Sequence, residues 1–156
     1  DISDRHRAEQ AAIESEALLE SVFDNLPIGL VIKDLDQKVI RINRTFADWY
    51  GTSRDTIEGS AAQNRGFASD ATWREMLAQE RKVAETGVPM TRMVDRRFAD
   101  GGVHSMQITK FPVRDADGRV VKVGSVSVDL TDLMAAQAAA RRAEAAFMDF
   151  TPEDLD

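Results

Sequence analysis

The chain has 156 residues, no cysteine and a net charge of −7, with 43% hydrophobic and 30% charged residues. This length supports one folded domain with its own core rather than two. The lack of cysteine excludes disulfides, cysteine-ligated metals and thiol catalysis. An acidic chain lacks the excess of lysine and arginine that nucleic-acid binding needs, so we expect no nucleic-acid partner. No apolar run approaches the roughly 20 residues that cross a bilayer, so we expect no direct membrane insertion, although an anchor could lie upstream in a longer protein. The lack of cysteine fits a reducing compartment, so we expect a cytoplasmic protein.

The first predicted element is a long helix over residues 5–26. Apolar and small side chains recur along it in alternating steps of four and three residues, as in the seam of a coiled coil. The last seam residues are Leu19, Val22 and Leu26, and Pro27 ends the helix. The same spacing also suits an amphipathic helix packed against its own domain, and both interpretations stay open.

A β-hairpin and two short helices follow. Alternating apolar and charged residues predict strands over 28–33 and 38–42, joined by a tight turn. Asn43 stands where the second strand gives way to a short helix, and asparagine is a good capping residue there. Another short helix, over 54–58, ends at a glycine, and residues 60–69 have the irregular pattern of a loop.

One long helix and three strands complete the pattern. Residues 71–86 show apolar side chains at helical spacing. Strands are predicted over 90–98, 103–113 and 120–128, joined by turns with an Asp-Gly step, where glycine supplies the positive φ that such turns need. The sequence therefore predicts an α+β domain with an antiparallel sheet.

The order of these elements resembles the PAS domain over residues 18–132. By this resemblance, the fold would be a five-stranded antiparallel sheet in the order 2-1-5-4-3, with helices on one face and a connector helix at each end. The motifs that carry the resemblance are turns and caps between elements: Leu26-Pro27-Ile28-Gly29, Asn43-Arg44-Thr45-Phe46, residues 53–59, 98–102 and 114–118, and Asp129-Leu130-Thr131.

A similar four-residue motif occurs near both ends of the chain, as Asp1-Ile2-Ser3-Asp4 and as Asp129-Leu130-Thr131-Asp132. Each copy precedes an alanine-rich helical stretch. A copy of an exit motif in front of the domain suggests a segment of a modular array. We therefore expect an N-terminal connector helix over residues 1–26, a PAS-like sensory domain over 27–132, and a signalling helix with the start of a further segment over 133–156. The resemblance implies covalently linked upstream and downstream modules, the latter a histidine kinase of a two-component system or a cyclic-dinucleotide enzyme.

The exit motif is the candidate for signal transmission. Asp129 ends the last predicted strand, and Thr131 or Asp132 can cap the next helix by accepting hydrogen bonds from its free backbone N–H groups. The resemblance implies that this motif couples the sheet to the exit helix. An ordinary helix cap with no signalling role is the alternative.

The exit helix carries a second seam, which includes Leu133, Ala136 and Ala140. Each alanine buries only one methyl group, so this helix is expected to stay folded while pairing weakly. We expect a homodimer that forms through the two terminal helices. A module that only dimerises and relays, with an empty pocket, remains the alternative to a sensor.

A ligand pocket could lie between the sheet and the long helix, although ordinary core packing is the alternative. A carboxylate there could meet Arg65, Arg92 or Arg96. The candidate lining residues are apolar or aromatic: Phe46, Trp49, Met76, Met93, Met106, Ile108 and Val126.

The resemblance also restricts the cofactors. Flavin-binding photosensory members form an adduct with a cysteine, which this chain lacks. Haem-binding members generally present a histidine from the long helix, and residues 71–86 contain none, so haem is not expected. His104 lies on a predicted strand, where histidine is more often structural than a ligand, and it is interpreted as structural. We expect no cofactor and no metal, although an unknown small molecule is compatible with the pocket. Without a phosphate-binding glycine loop or a nucleophile elbow, an enzyme is the less favoured class.

Overall fold

The computed structural model describes residues 1–60 and 69–149. The predicted α+β class is confirmed. The helices are α1 (Ile2–Asn25), α2 (Arg44–Tyr50), α3 (Arg54–Ile57), α4 (Asp70–Thr86) and α5 (Thr131–Met148). The strands are β1 (Gly29–Asp34), β2 (Val39–Ile42), β3 (Met90–Arg97), β4 (Val103–Arg114) and β5 (Val120–Asp129).

The strands form one antiparallel sheet in the order β2-β1-β5-β4-β3, which confirms the predicted order. Residues directly opposite each other on paired strands project from the same face. Lys33 of β1 lies opposite Val123, and Lys110 of β4 lies opposite Ser125, two residues further along β5. The register of the central β5 therefore brings two lysines together on one face of the sheet.

Helix α4 covers that face. It begins after Ser69, whose hydroxyl accepts a hydrogen bond from Thr72 N at 3.2 Å, and it ends at Gly87 with a φ of 69°. Glu80 and Val83 are its buried residues. The remaining core lies under α2 and α3, where buried side chains pack with Phe46, Ala47 and Trp73: Val31, Val39, Ile42 and Ile57.

A fully buried asparagine joins three elements. The Asn43 carboxamide oxygen accepts from Leu30 N at 2.9 Å and from Phe46 N at 3.1 Å, the latter being the predicted cap of α2. Its nitrogen donates to Phe23 O at 3.0 Å and to Ile28 O at 2.7 Å. One side chain therefore fixes the end of α1, the start of β1 and the start of α2.

The terminal helices leave most of their predicted seam residues exposed, whereas Leu26 is half-buried and lies at the C-cap, just past the end of α1. Leu19 and Leu133 are 66% and 52% exposed, and Ala136 and Ala140 are exposed as well. Helix α1 has no buried residue, although Glu20 near its end forms an ion pair with Arg41 of β2. The homodimer stays a prediction. Within the described residues, no helix combines the length and the apolar character needed to cross a membrane.

Replacement of Asn43 by alanine tests its role as a junction. The change removes four hydrogen bonds and leaves buried backbone groups unpaired. We expect Asn43→Ala to lower the free energy of unfolding by about 3 kcal/mol, measured by urea denaturation.

The matched control is Asn25→Ala, because Asn25 also donates to a backbone oxygen, that of Ser21 at 2.7 Å, but at an exposed position. We expect this control to change the free energy of unfolding by less than about 0.5 kcal/mol. Equal effects of the two substitutions would contradict the junction role.

Candidate functional site

A cavity of about 70 Å³ lies between the sheet and α4. Its apolar wall comprises Val31, Val39, Phe46, Ile57, Trp73, Met76 and Ile108. Its polar wall comprises Lys33, Tyr50, Glu80, Arg96, Lys110, Ser125 and Ser127. The cavity thus combines an apolar surface with several charged groups, as small-molecule sites commonly do.

Some of the predicted lining residues lie elsewhere. Met93 is 51% exposed, and it projects from the other face of the sheet because side chains alternate along a strand. Val126, between the cavity residues Ser125 and Ser127, also projects from that outer face. Met106 is fully buried but does not line the cavity.

Of Trp49 and the described candidate arginines, only Arg96 lines the cavity. Trp49 packs over Gly29, where a Cβ would approach its ring to 2.8 Å, and it does not line the cavity. Arg96 lines the cavity, whereas Arg92 pairs with Glu75 at 2.9 Å in an adjoining groove. Arg65 lies outside the described residues. Of the predicted apolar lining, Phe46, Met76 and Ile108 are in the cavity wall.

Three charged side chains form the buried charge cluster, which comprises Lys33, Glu80 and Lys110. Lys33 Nζ lies 3.0 and 3.3 Å from the two carboxylate oxygens of Glu80, and Lys110 Nζ lies 2.8 Å from one of them. The three residues are between 2% and 6% exposed. One buried carboxylate is therefore the counterion and hydrogen-bond acceptor of two ammonium groups.

Burial and charge pairing oppose each other in this cluster. Burial alone would raise the pKa of Glu80, but Lys110 and Lys33 outweigh it and hold that pKa below its usual value of 4.5. Burial lowers the pKa of Lys110, and the attraction of Glu80 offsets only part of this effect. Removing Glu80 would therefore leave two buried cations without a counterion.

The exit cluster comprises His104, Ser105, Asp129, Leu130 and Thr131. Asp129 accepts hydrogen bonds from Thr131 N at 3.0 Å and from Thr131 Oγ1 at 2.5 Å, and its other oxygen lies 2.7 Å from His104 Nδ1. Ser105 N donates to Thr131 Oγ1 at 3.0 Å, and Leu130 N donates to Ser105 O at 2.8 Å. These bonds fasten the start of α5 to β4.

The predicted capping role of Thr131 or Asp132 is wrong. Helix α5 begins at Thr131, and Leu130 at the cap position makes no side-chain hydrogen bond. Thr131 turns its hydroxyl back towards Asp129 and Ser105, so Asp129 accepts the first free N–H of the helix. Asp132 is exposed in the first turn, where its negative charge interacts favourably with the positive end of the helix dipole.

The charge of Asp129 is stabilised by its partners. Burial acts to raise its pKa, but hydrogen bonds from Thr131 and then from His104 outweigh burial and lower it. His104 was interpreted from the sequence as structural only, and its contact with Asp129 depends on the pairing of β4 with β5.

An aromatic bridge connects the cavity with the exit cluster, and it comprises Phe46, Trp49, Tyr50, Phe98 and His104. The ring centroids of Phe46 and Tyr50 lie 4.7 Å apart, and those of Tyr50 and Phe98 lie 5.4 Å apart. Trp49 stacks on Phe98 at 5.1 Å, and Phe98 stacks on His104 at 3.8 Å with ring planes 12° apart. Such contacts contribute about 0.5–1.5 kcal/mol each beyond their buried area.

Tyr50 is also linked to both sites electrostatically. Burial raises the pKa of its phenol, nearby Arg96 acts to lower it, and Asp129 acts to raise it. Tyr50 lines the cavity. A cavity side chain therefore lies within the field of the exit carboxylate.

Comparison with known proteins identifies the family. A model of the PAS fold matches residues 23–135, which is more than half of the chain. The chain belongs to the PAS family, so the resemblance drawn from its sequence is confirmed.

Two curated relatives are a sensor and a regulator. The C4-dicarboxylate transport sensor protein DctS of Rhodobacter capsulatus is 32% identical over 144 residues, covering 90% of this chain and 21% of that protein. The bacterioopsin transcriptional activator of Halobacterium salinarum is 32% identical over 130 residues, covering 80% of this chain and 19% of that protein. The chain is thus a PAS sensory domain with a signalling role, and it spans about a fifth of each relative.

A solved structure corrects one expectation about partners. The VqmA–ligand–DNA complex of Vibrio cholerae is 26% identical with a TM-score of 0.66, and the match covers 78% of this chain and 55% of that one. The prediction that nucleic acid is excluded as a partner is therefore wrong. A net charge of −7 describes this segment alone, and it does not limit what a longer chain containing such a domain binds.

Replacement of Glu80 by glutamine tests the buried charge cluster. The side chain keeps its shape, but Lys33 and Lys110 lose their counterion. We expect Glu80→Gln to lower the free energy of unfolding at neutral pH by about 3–5 kcal/mol, measured by urea denaturation. The matched control is Glu75→Gln on the same helix, because Glu75 is paired with Arg92 but 60% exposed. We expect the control to cost less than about 1 kcal/mol.

The same variant has a distinct pH dependence. The folded-state pKa of Glu80 lies below 4.5, so the unfolded chain binds this proton more readily. The stability that ionised Glu80 contributes is therefore present above pH ~4.5 and is lost as the pH falls through the folded-state pKa. The difference between the pH profiles of the wild type and Glu80→Gln isolates this contribution. Parallel profiles would contradict it.

Proposed function

We propose that this PAS domain binds a small molecule in the cavity and passes the resulting change to α5 through the aromatic bridge and the exit cluster. The observation that carries the proposal is the position of Phe98, which contacts Tyr50 of the cavity wall on one side and His104 of the exit cluster on the other. Phe98 is 7% exposed, so movement of either neighbour acts on a closely packed ring.

The mechanism requires two arrangements of the bridge that bind the ligand with different affinity. A molecule in the cavity contacts Tyr50 and Phe46 directly. Repacking of Tyr50 against Phe98 shifts the ring that supports His104, and with it the hydrogen bond to Asp129. Because Asp129 and Ser105 hold the first residues of α5, the helix changes its direction or its stability.

We propose that the domain works as one non-catalytic module of a longer signalling protein, since it spans about a fifth of its curated relatives. Pairing of the exposed seams of α1 and α5 would make that protein a homodimer. A sensor kinase, a cyclic-dinucleotide enzyme and a DNA-binding regulator are the candidate outputs. A cytoplasmic location stays a prediction.

A thermal-shift screen with metabolites tests the sensory role, with α5 as the second readout. Because the chain has no cysteine, a single Ala139→Cys substitution at an exposed position of α5 can carry an environment-sensitive fluorophore. We expect a compound that stabilises the domain to change the emission of this label and to be recovered unaltered. Asp129→Asn should abolish the emission change without weakening binding.

The matched control for the relay is Asp117→Asn, an exposed acid in the β4–β5 turn. It should keep both the binding and the emission change. Binding with no emission change in the wild type would contradict the relay. A domain that binds nothing while Asp129→Asn still alters the label would favour the alternative of a relay with an empty pocket.

A further inference from the structure

The cavity carries more positive than negative charge. Lys33, Lys110 and Arg96 contribute three cations, and Glu80 contributes one carboxylate. Burial is the main cause that lowers the pKa of Lys110, and Glu80 acts against it, while repulsion from Lys33 and Arg96 lowers it further. Lys33 and Lys110 are buried with one carboxylate between them, and Arg96 is half-buried. Uncompensated charge away from water costs free energy, so this site favours an anion that restores the balance.

The wall also contains a buried donor that lacks an acceptor among the described residues, the indole N–H of Trp73. The indole nitrogen of Trp73 is buried and has no hydrogen-bond partner in the part of the chain that the structure describes. Trp73 lines the cavity, and Lys33 Nζ lies 4.7 Å from the centre of its ring. Indole N–H can only donate. A ligand oxygen that reached the indole nitrogen of Trp73 would satisfy this donor.

The size and the remaining wall restrict the body of the ligand. A cavity of 70 Å³ holds roughly five to seven water-sized atoms, at about 10–15 Å³ each. Val31, Val39, Ile57 and Ile108 offer apolar contact. A molecule with a carboxylate at one end and a short aliphatic body fits both parts of the wall.

An adjoining groove of about 120 Å³ leads to the same residues. It shares Met76, Arg96, Ile108 and Lys110 with the cavity. Its outer part carries the exposed ion pair between Arg92 and Glu75. The groove gives an anion from solvent a cationic approach to Lys110, and it accommodates a second carboxylate beyond the inner cavity.

We propose that the ligand of this domain is a small aliphatic carboxylate whose carboxylate group binds among Lys33, Lys110 and Trp73. The inference rests on the proposed function and names the chemical class that the cavity selects. Arg96 adds a further cation at the junction with the groove.

The experiment compares charged ligands with neutral ones of the same shape. Sodium propionate and sodium succinate are titrated into the whole chain by calorimetry, alongside propionamide and succinamide, with sodium chloride as the salt control. We expect at least one carboxylate to bind and to raise the midpoint of thermal unfolding, whereas the amides and chloride do not. Equal effects of a carboxylate and its amide, or of a carboxylate and chloride, would overturn the proposal.

Lys110→Met provides the test within the protein. Lys33 and Glu80 remain as a balanced pair, so this variant should fold, and its thermal midpoint without ligand should not fall. We expect the affinity for the carboxylate to weaken roughly tenfold or more, the cost of a lost hydrogen bond to a charged group. The matched control is Lys122→Met, which removes the same charge next to Val123 but on the outer face of the sheet. Unchanged carboxylate affinity in Lys110→Met would overturn the assignment.

The outcomes separate this inference from the proposed function. If a metabolite from the screen binds and moves the α5 label while no carboxylate binds, the inference fails and the sensory role stands. If carboxylates bind through Lys110 while the emission of the α5 label does not change, the proposed relay is wrong and the ligand class is supported.

Discussion

The sharing of one carboxylate by two lysines is the constraint on which this structure depends. The carboxylate of Glu80 neutralises the buried side chains of Lys33 on β1 and Lys110 on β4. The same two ion pairs hold α4 on the sheet. A hydrophobic substitute of similar volume could stabilise such an interior equally well. Instead, Lys33, Glu80 and Lys110 place charged groups in the wall of a mainly apolar cavity between helix and sheet, a combination that suits a domain that binds a small molecule.

The cavity and the exit helix belong to one connected structure. Tyr50 belongs to both the cavity wall and the aromatic bridge, and His104 belongs to both the bridge and the exit cluster. Asp129 ends β5 and accepts hydrogen bonds from the first helical residue, so the sheet and α5 share a rigid joint. Spatial connection alone does not establish coupling, which requires an element whose equilibrium both sites change. The exposed, alanine-rich α5 is that element in the proposed mechanism.

The sequence predicted the helices and strands well because their signals are local, whereas the order of the strands came from the resemblance to the PAS domain. Turn glycines such as Gly101 and Gly118, with φ of 85° and 83°, and the Asn43 cap act within a few residues of the chain.

The site was predicted only in part. Met93 and Val126 were assigned to the wrong face, because a shift of one residue reverses the direction of every side chain in a strand. Lys33 and Lys110 were overlooked because lysine is rarely buried, although both occupy inward positions of their strands. The contact of His104 with Asp129 depends on the long-range register of β4 and β5.

The proposed relay, by which a change in the cavity wall reaches α5, is tested most simply by amide hydrogen exchange measured by NMR in the absence of any ligand. Lys110→Met alters the charge of the cluster but touches no residue of the exit cluster. We expect this substitution to change the protection of the amides of Ser105, Leu130 and Thr131, whose hydrogen bonds fasten α5 to β4 and β5. Changes confined to the surroundings of Lys110, with the protection of those three amides unaltered, would contradict it.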